Sequence, residues 1–226
     1  MATDPNGDTK PYSETRKIRL DLEDYSHDRW GFVMYRTTYG DDDAWEQLKK
    51  IVKERAREQL LASTGPYLLD SLDWKFFDDQ EASDNASVAN LRQHFTAWIR
   101  DNWQLEQPRG TCPGSPRYRL FIRVDREALD SVLDRNNVRF AAPWADAGWV
   151  HLISGEWESE LDHVDPDDEY DQPDLTFNPV EDCREQDVGW MKVPAEEIGF
   201  QMYSRFVNPD SWYILYERPP KIAFWT

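Results

Sequence analysis

The chain has 226 residues and a mass of 26.7 kDa, room for one large domain or two small ones. It is 39% hydrophobic with eleven Trp and a formal charge of −18, which excludes a wholly disordered chain and argues against a nucleic-acid backbone or an anionic membrane surface as the main partner. No apolar run approaches the ~18 residues of a spanning helix, and two cysteines, Cys112 and Cys183, are too few for a disulfide scaffold.

Residues 1–17 are polar and read as a flexible N-terminal arm without the apolar stretch of a secretory signal. This predicts a soluble protein of the cytoplasm, with the nucleus also open. Residues 18–226 read as a single α+β domain. Trp30 to Tyr39, rich in aromatic and β-branched residues, predicts a strand. Gly40 breaks it. Asp41, Asp42 and Asp43 then supply a cap and the acidic first turn that a helix prefers. That helix runs to about Ala62, with Trp45, Leu48, Val52, Ala56 and Leu60 on one stripe, and Gly65-Pro66 stops the chain beyond it.

Leu72 to Phe77 predicts a second strand, and Asp84 or Ser87 caps a helix carrying Val88, Leu91, Phe95 and Trp98. After a loop at Pro108–Pro116 come a strand at Tyr118–Val124 and a short helix capped by Asp125. Further strands are predicted at Trp149–Ile153, Val188–Val193 and Trp212–Tyr216, the last two flanking a helical stretch within Ala195–Phe206. The predicted fold is an antiparallel or mixed sheet with helices on one face, of the ferredoxin-like or dimeric α+β-barrel type, which allows a homodimer. A doubly wound parallel sheet is the competing arrangement. It is disfavoured because the strands alternate charged with apolar residues.

The charge is uneven. Residues 151–190 contain 14 Asp and Glu against the single basic Arg184. Like charges and prolines over about 156–187 predict an extended, solvated acidic loop, and a docking site for a basic partner is the functional expectation attached to it. The spacing does not match a calcium-binding loop.

The stretches Trp30-Gly31-Phe32-Val33-Met34-Tyr35-Arg36-Thr37-Thr38-Tyr39, Asp187-Val188-Gly189-Trp190-Met191-Lys192-Val193 and Trp212-Tyr213-Ile214-Leu215-Tyr216 resemble a family of uncharacterised, acidic, Trp-rich proteins of filamentous fungi. The resemblance spans about Trp30 to the C-terminus. It implies an ascomycete source and carries over no activity, cofactor or catalytic residue.

Signature motifs for nucleotide binding, acyl transfer and zinc binding are absent from the sequence. No metal site and no cofactor are predicted. Asn85-Ala86-Ser87 matches a glycosylation sequon but reads as a helix-capping loop. Strand alternation gives the one lead. Trp30, Phe32 and Arg36 share a parity in the first strand, as do Arg119, Phe121 and Arg123 in the third, and Trp149 and His151 join from the fourth. If these lie on one open face, arginines beside aromatic rings suit an anionic or aromatic small molecule. His151 is then the candidate acid or base. The same residues also fit structural cation–π and ion pairs. Two functions follow: a binding or interaction protein without an evident catalytic site, or a small-molecule binder or cofactor-independent cyclase or isomerase of fungal secondary metabolism.

Overall fold

The computed structural model describes residues 13–133, 148–165 and 173–225. Its first element, α1 (Glu14–Tyr25), starts where the flexible arm was expected to continue. Ser13 caps it by accepting the Arg16 N–H at 3.2 Å, and Ser26 closes it in the left-handed region at φ 54°. Thr15, 2% exposed, hydrogen-bonds the Thr64 hydroxyl at 3.0 Å, so residues 13–17 belong to the fold. The remainder of the predicted arm lies outside the described residues.

The local rules hold through the middle of the chain. Strand β1 (Val33–Arg36) leads to α2 (Asp42–Leu61), capped by Asp41 through the Ala44 N–H. A 3-10 turn at Pro66–Ser71 and the short β2 (Lys75–Phe77) follow. After α3 (Gln80–Ser83), Ser87 caps the long α4 (Val88–Glu106), which identifies the Asn85-Ala86-Ser87 segment as a capping turn. The turn α5 (Pro116–Arg119) opens into β3 (Leu120–Val124), and Asp125 caps α6 (Arg126–Leu133). The chain ends with β4 (Trp149–Ser154), β5 (Trp190–Pro194), α7 (Phe200–Arg205) and α8 (Ser211–Leu215).

The five strands form one mixed sheet in the order β2-β1-β3-β4-β5, parallel across β2, β1 and β3 and antiparallel across β3, β4 and β5. The register sets Met34 opposite Ile122 and Tyr35 opposite Arg123. One face therefore carries Phe32, Met34, Leu120, Ile122, Leu152 and Met191 into a core with Trp45, Leu48, Val52, Leu129, Met202 and Trp212. The other carries Val33, Tyr35, Phe121, Ile153 and Trp190 against Val88, Leu91, Phe95 and Trp98 of α4.

Helices thus cover both faces, not one. The physical reason is that the second face is apolar where it meets α4, and an apolar face needs a cover. Burial on both faces also explains how β1 can sit between two parallel neighbours.

The Trp212–Tyr216 segment is helical rather than extended. A helix sets Trp212 and Tyr216 on one side, their rings 5.7 Å apart, and leaves Tyr213 and Ile214 exposed at 80% and 78%. Aromatic β-propensity yields here to packing of the i, i+4 pair. Among the described residues no helix is long and apolar enough to cross a membrane.

Candidate functional site

The register dissolves the single open face expected from strand alternation. Trp30, Phe32 and Arg36 lie on the large-core side, whereas Phe121, Arg123 and His151 lie on the other, and Trp149, at the start of β4, packs against the large core. Arg119 sits in α5, ahead of the strand, so its parity carries no face information.

Each of these residues has structural partners. Trp30 is fully buried and donates its indole N–H to the Leu68 carbonyl at 3.0 Å. Phe32 and Phe121 are interior, Phe121 against Phe95 at a centroid distance of 4.7 Å. Arg36 bonds Asp42 at 2.7 Å, Asp78 at 3.2 Å and the Thr38 carbonyl at 2.8 Å, and it stacks on Tyr39.

Three of the remaining groups do meet, at the far end of the second face. Arg123 pairs with Glu181 at 2.9 Å and lies 3.7 Å from Asp125. Trp149 carries the Lys192 ammonium 3.5 Å over its ring and lies beside His151. His151 Nε2 stands 2.9 Å from Asp125 Oδ2 without the alignment of a hydrogen bond, and its Nδ1 has no partner among the described residues. Burial pushes the His151 imidazole below its ordinary range despite Asp125. Burial alone would lift Asp125, but His151, the Ala128 N–H and Arg123 hold it at about 2. The pair is therefore a neutral imidazole beside a carboxylate at neutral pH, with His151 only 5% exposed.

A more open arrangement lies elsewhere, in a cleft of about 740 Å³ between residues 154–160, Asp187 and α8. The described parts of the neighbouring acidic segment are mostly exposed, as a solvated loop should be, but they are tied down at a few points. Glu185, 2% exposed, accepts the Ser159 hydroxyl and, at 2.7 Å, the Glu160 N–H. Arg218 donates to the Glu185 and Cys183 carbonyls, and Val180 and Cys183 pack against the second core. Only the stretch 166–172 of that segment lies outside the described residues.

Asp187 organises the cleft wall. Its Oδ2 accepts the Trp212 indole N–H at 2.7 Å, its Oδ1 the Gly189 N–H at 2.7 Å, and its carbonyl the Trp157 indole N–H at 3.2 Å. The Tyr216 hydroxyl accepts the adjacent Val188 N–H at 3.0 Å. Gly189, at φ 74°, has no room for a side chain: a Cβ would stand 2.5 Å from Trp157 Cγ. Two indoles are thus fixed by one acidic residue.

Around these rings the lining carries Glu156, Glu158, Glu160 and Asp210. Burial raises the carboxyls of Glu156 and Asp187, with Arg119 and the Trp212 N–H respectively opposing it. Among the described residues Arg119 is the one arginine of the lining, and its guanidinium is engaged by the carbonyls of Gly114, Phe206 and Val207. His163 pairs with Glu158 at 2.7 Å. The net result is an aromatic-walled cleft of negative charge.

Comparison of the chain with protein-family models, with curated proteins and with solved structures found no significant match. Among the described residues no group of three or more His, Cys, Asp or Glu is placed to hold a metal ion, and both cysteines are free. The cleft residues Trp157, Asp187, Asp210, Trp212, Tyr213 and Tyr216 were not among the sequence candidates. One signal was available: Trp157 stands inside Glu156-Trp157-Glu158-Ser159-Glu160, and a large apolar ring has no reason to sit in a purely solvated acidic run.

Proposed function

We propose that this is a non-enzymatic binding protein that takes a basic segment of a partner protein into the cleft between residues 156–160 and α8. The observation that carries the reading is the lining: five carboxylates and the rings of Trp157, Trp212, Tyr213 and Tyr216 around one cavity whose only arginine among the described residues is already bonded to main-chain carbonyls. Carboxylates attract a lysine or arginine head electrostatically, and aromatic faces attract it through their quadrupoles. Burial raises Glu156 and Asp187 although Arg119 and Arg92 respectively pull them down, so a further cation in the cleft favours their charged forms.

The test is a tryptophan-fluorescence titration with a lysine-rich peptide at several salt concentrations. Saturable binding that weakens with salt and falls at least about tenfold in Asp210→Lys supports the reading. Equal affinity for an acidic peptide of the same length would refute it.

A second reading is favoured by one observation, the contact between His151 Nε2 and Asp125 at 2.9 Å with Nδ1 unbonded among the described residues. An acid–base pair flanked by Arg123 and Lys192 suits an anionic small molecule and a proton-transfer reaction without a cofactor. It requires a substrate to reach a ring that is 5% exposed. Thermal shift against a panel of aromatic acids, in wild type and His151→Gln, tests it; no shift in the wild type eliminates it.

A further inference from the structure

The cleft does not end at Trp157. Behind the same loop lies a second depression of about 780 Å³, floored by α4 at Ala89, Gln93, Thr96 and Ala97 and closed at one end by Pro113 and Tyr118. The two hollows share Glu156, Trp157 and Glu158. They are neighbouring compartments on either side of one ridge.

The ridge is rigid. Trp157 is tied to the Asp187 carbonyl at 3.2 Å, covered on a ring face by the Arg92 guanidinium at 4.9 Å, and wedged against Gly189. Arg92 is itself spent on the Ser154 carbonyl at 2.9 Å and the Gly189 carbonyl at 3.4 Å. Its charge therefore adds little repulsion on the α4 side.

The compartments differ in chemistry. The α8 side is acidic and aromatic. The α4 side exposes mainly apolar surface and has short side chains on its floor, so it has room for an aliphatic side chain, while its charged groups among the described residues are Arg92, Arg100 and the shared Glu156 and Glu158. Each has the volume of a pocket for a whole small ligand, more than one lysine head fills.

From the shared ridge we infer that the partner is an extended chain segment of mixed chemistry, with lysine or arginine seated on the α8 side and bulky aliphatic residues a few positions away on the α4 side. The inference rests on the binding reading above and names the partner class within it. An extended segment crosses a fixed divider at no reorganisation cost to the protein, and order along the segment then decides which end docks where. A compact cation uses one compartment only.

Three fluorescein-labelled nonapeptides test this by anisotropy: one of alternating lysine and glycine, and two in which leucine replaces the last three or the first three residues. The expected result is a gain of about tenfold for one leucine peptide and not for the other. Gln93→Trp, which fills the α4 compartment from an exposed helix position, should erase that gain and leave the all-basic peptide unchanged. Ala89→Trp, also exposed, gives the same readout if the first variant folds poorly. Equal affinities for all three peptides, or a gain that survives both tryptophan variants, overturn the inference while the cleft reading stands. Absence of saturable binding by any of the three, or binding indifferent to Asp210→Lys, overturns the cleft reading and the inference together.

Discussion

Asp21 lies on α1, 3% exposed, with Oδ2 unpartnered among the described residues. The buried Tyr203 hydroxyl is close enough for the Asp21 charge to act on it. Burial drives the Asp21 carboxyl from 3.8 up to about 7, with Arg119 pulling the other way and Asp24 adding to the rise. The folded-state value exceeds the unfolded one, so the contribution of this group to stability is complete below about pH 4 and lost as the pH rises through 7. Keeping it ionised within the fold then costs about 4 kcal/mol, a large part of a typical domain's stability.

Asp21→Asn removes the titration and keeps the shape and a donor for the neighbouring oxygens. Relative to wild type, the variant should be within about 1 kcal/mol at pH 4.5 and more stable by up to about 4 kcal/mol at pH 8.5. Urea unfolding of both proteins at pH 4.5, 6 and 8.5 measures the difference, and the other carboxylates cancel because they titrate alike in the two chains. A difference that stays constant across the three pH values would refute the reasoning, since a fixed polar substitution has no pH dependence.

Trp45, 1% exposed and packed edge-on against Phe76, should cost roughly 3–5 kcal/mol on replacement by Ala, read as a lower urea midpoint. Arg117 is fully buried and joins Glu106 at 2.9 Å to Asp73 at 2.8 Å while donating to the Asp73 and Gly31 carbonyls. Arg117→Met should destabilise by roughly 3–5 kcal/mol, because it leaves the largely buried Glu106 carboxylate without its counter-charge, with only the Tyr118 hydroxyl among the described residues still donating to it; a loss under about 1 kcal/mol would show that the pair is solvated. Gly189→Ala forces a Cβ into Trp157 at a positive φ, so Trp157 should leave its site, visible as a red-shifted emission and loss of basic-peptide binding with the fold retained.

The recognisable parts of the fold were those with short-range causes. Asp41, Ser87 and Asp125 each mark a helix start within the four residues that follow, and the stripes Trp45-Leu48-Val52-Ala56-Leu60 and Val88-Leu91-Phe95-Trp98 point to the buried sides of α2 and α4. The site was less legible. Arg123, Trp149 and His151 do converge, but Arg119 joins the acidic cleft instead, and Arg36 faces the opposite side of the sheet.

By itself, then, the sequence determined where most helices and strands begin, which of their residues are apolar, and that the negative charge concentrates after β4. Tertiary structure alone decided that Met34 lies opposite Ile122, that α4 covers the second face, and that Trp212 and Tyr216 share a helix side above Asp187. The physical reason is range. A cap or a helical stripe is settled among residues three or four apart, where the chain's own geometry brings the groups together. Strand pairing joins residues about thirty to ninety positions apart, and reading a residue's face requires the register between them, which no local pattern contains.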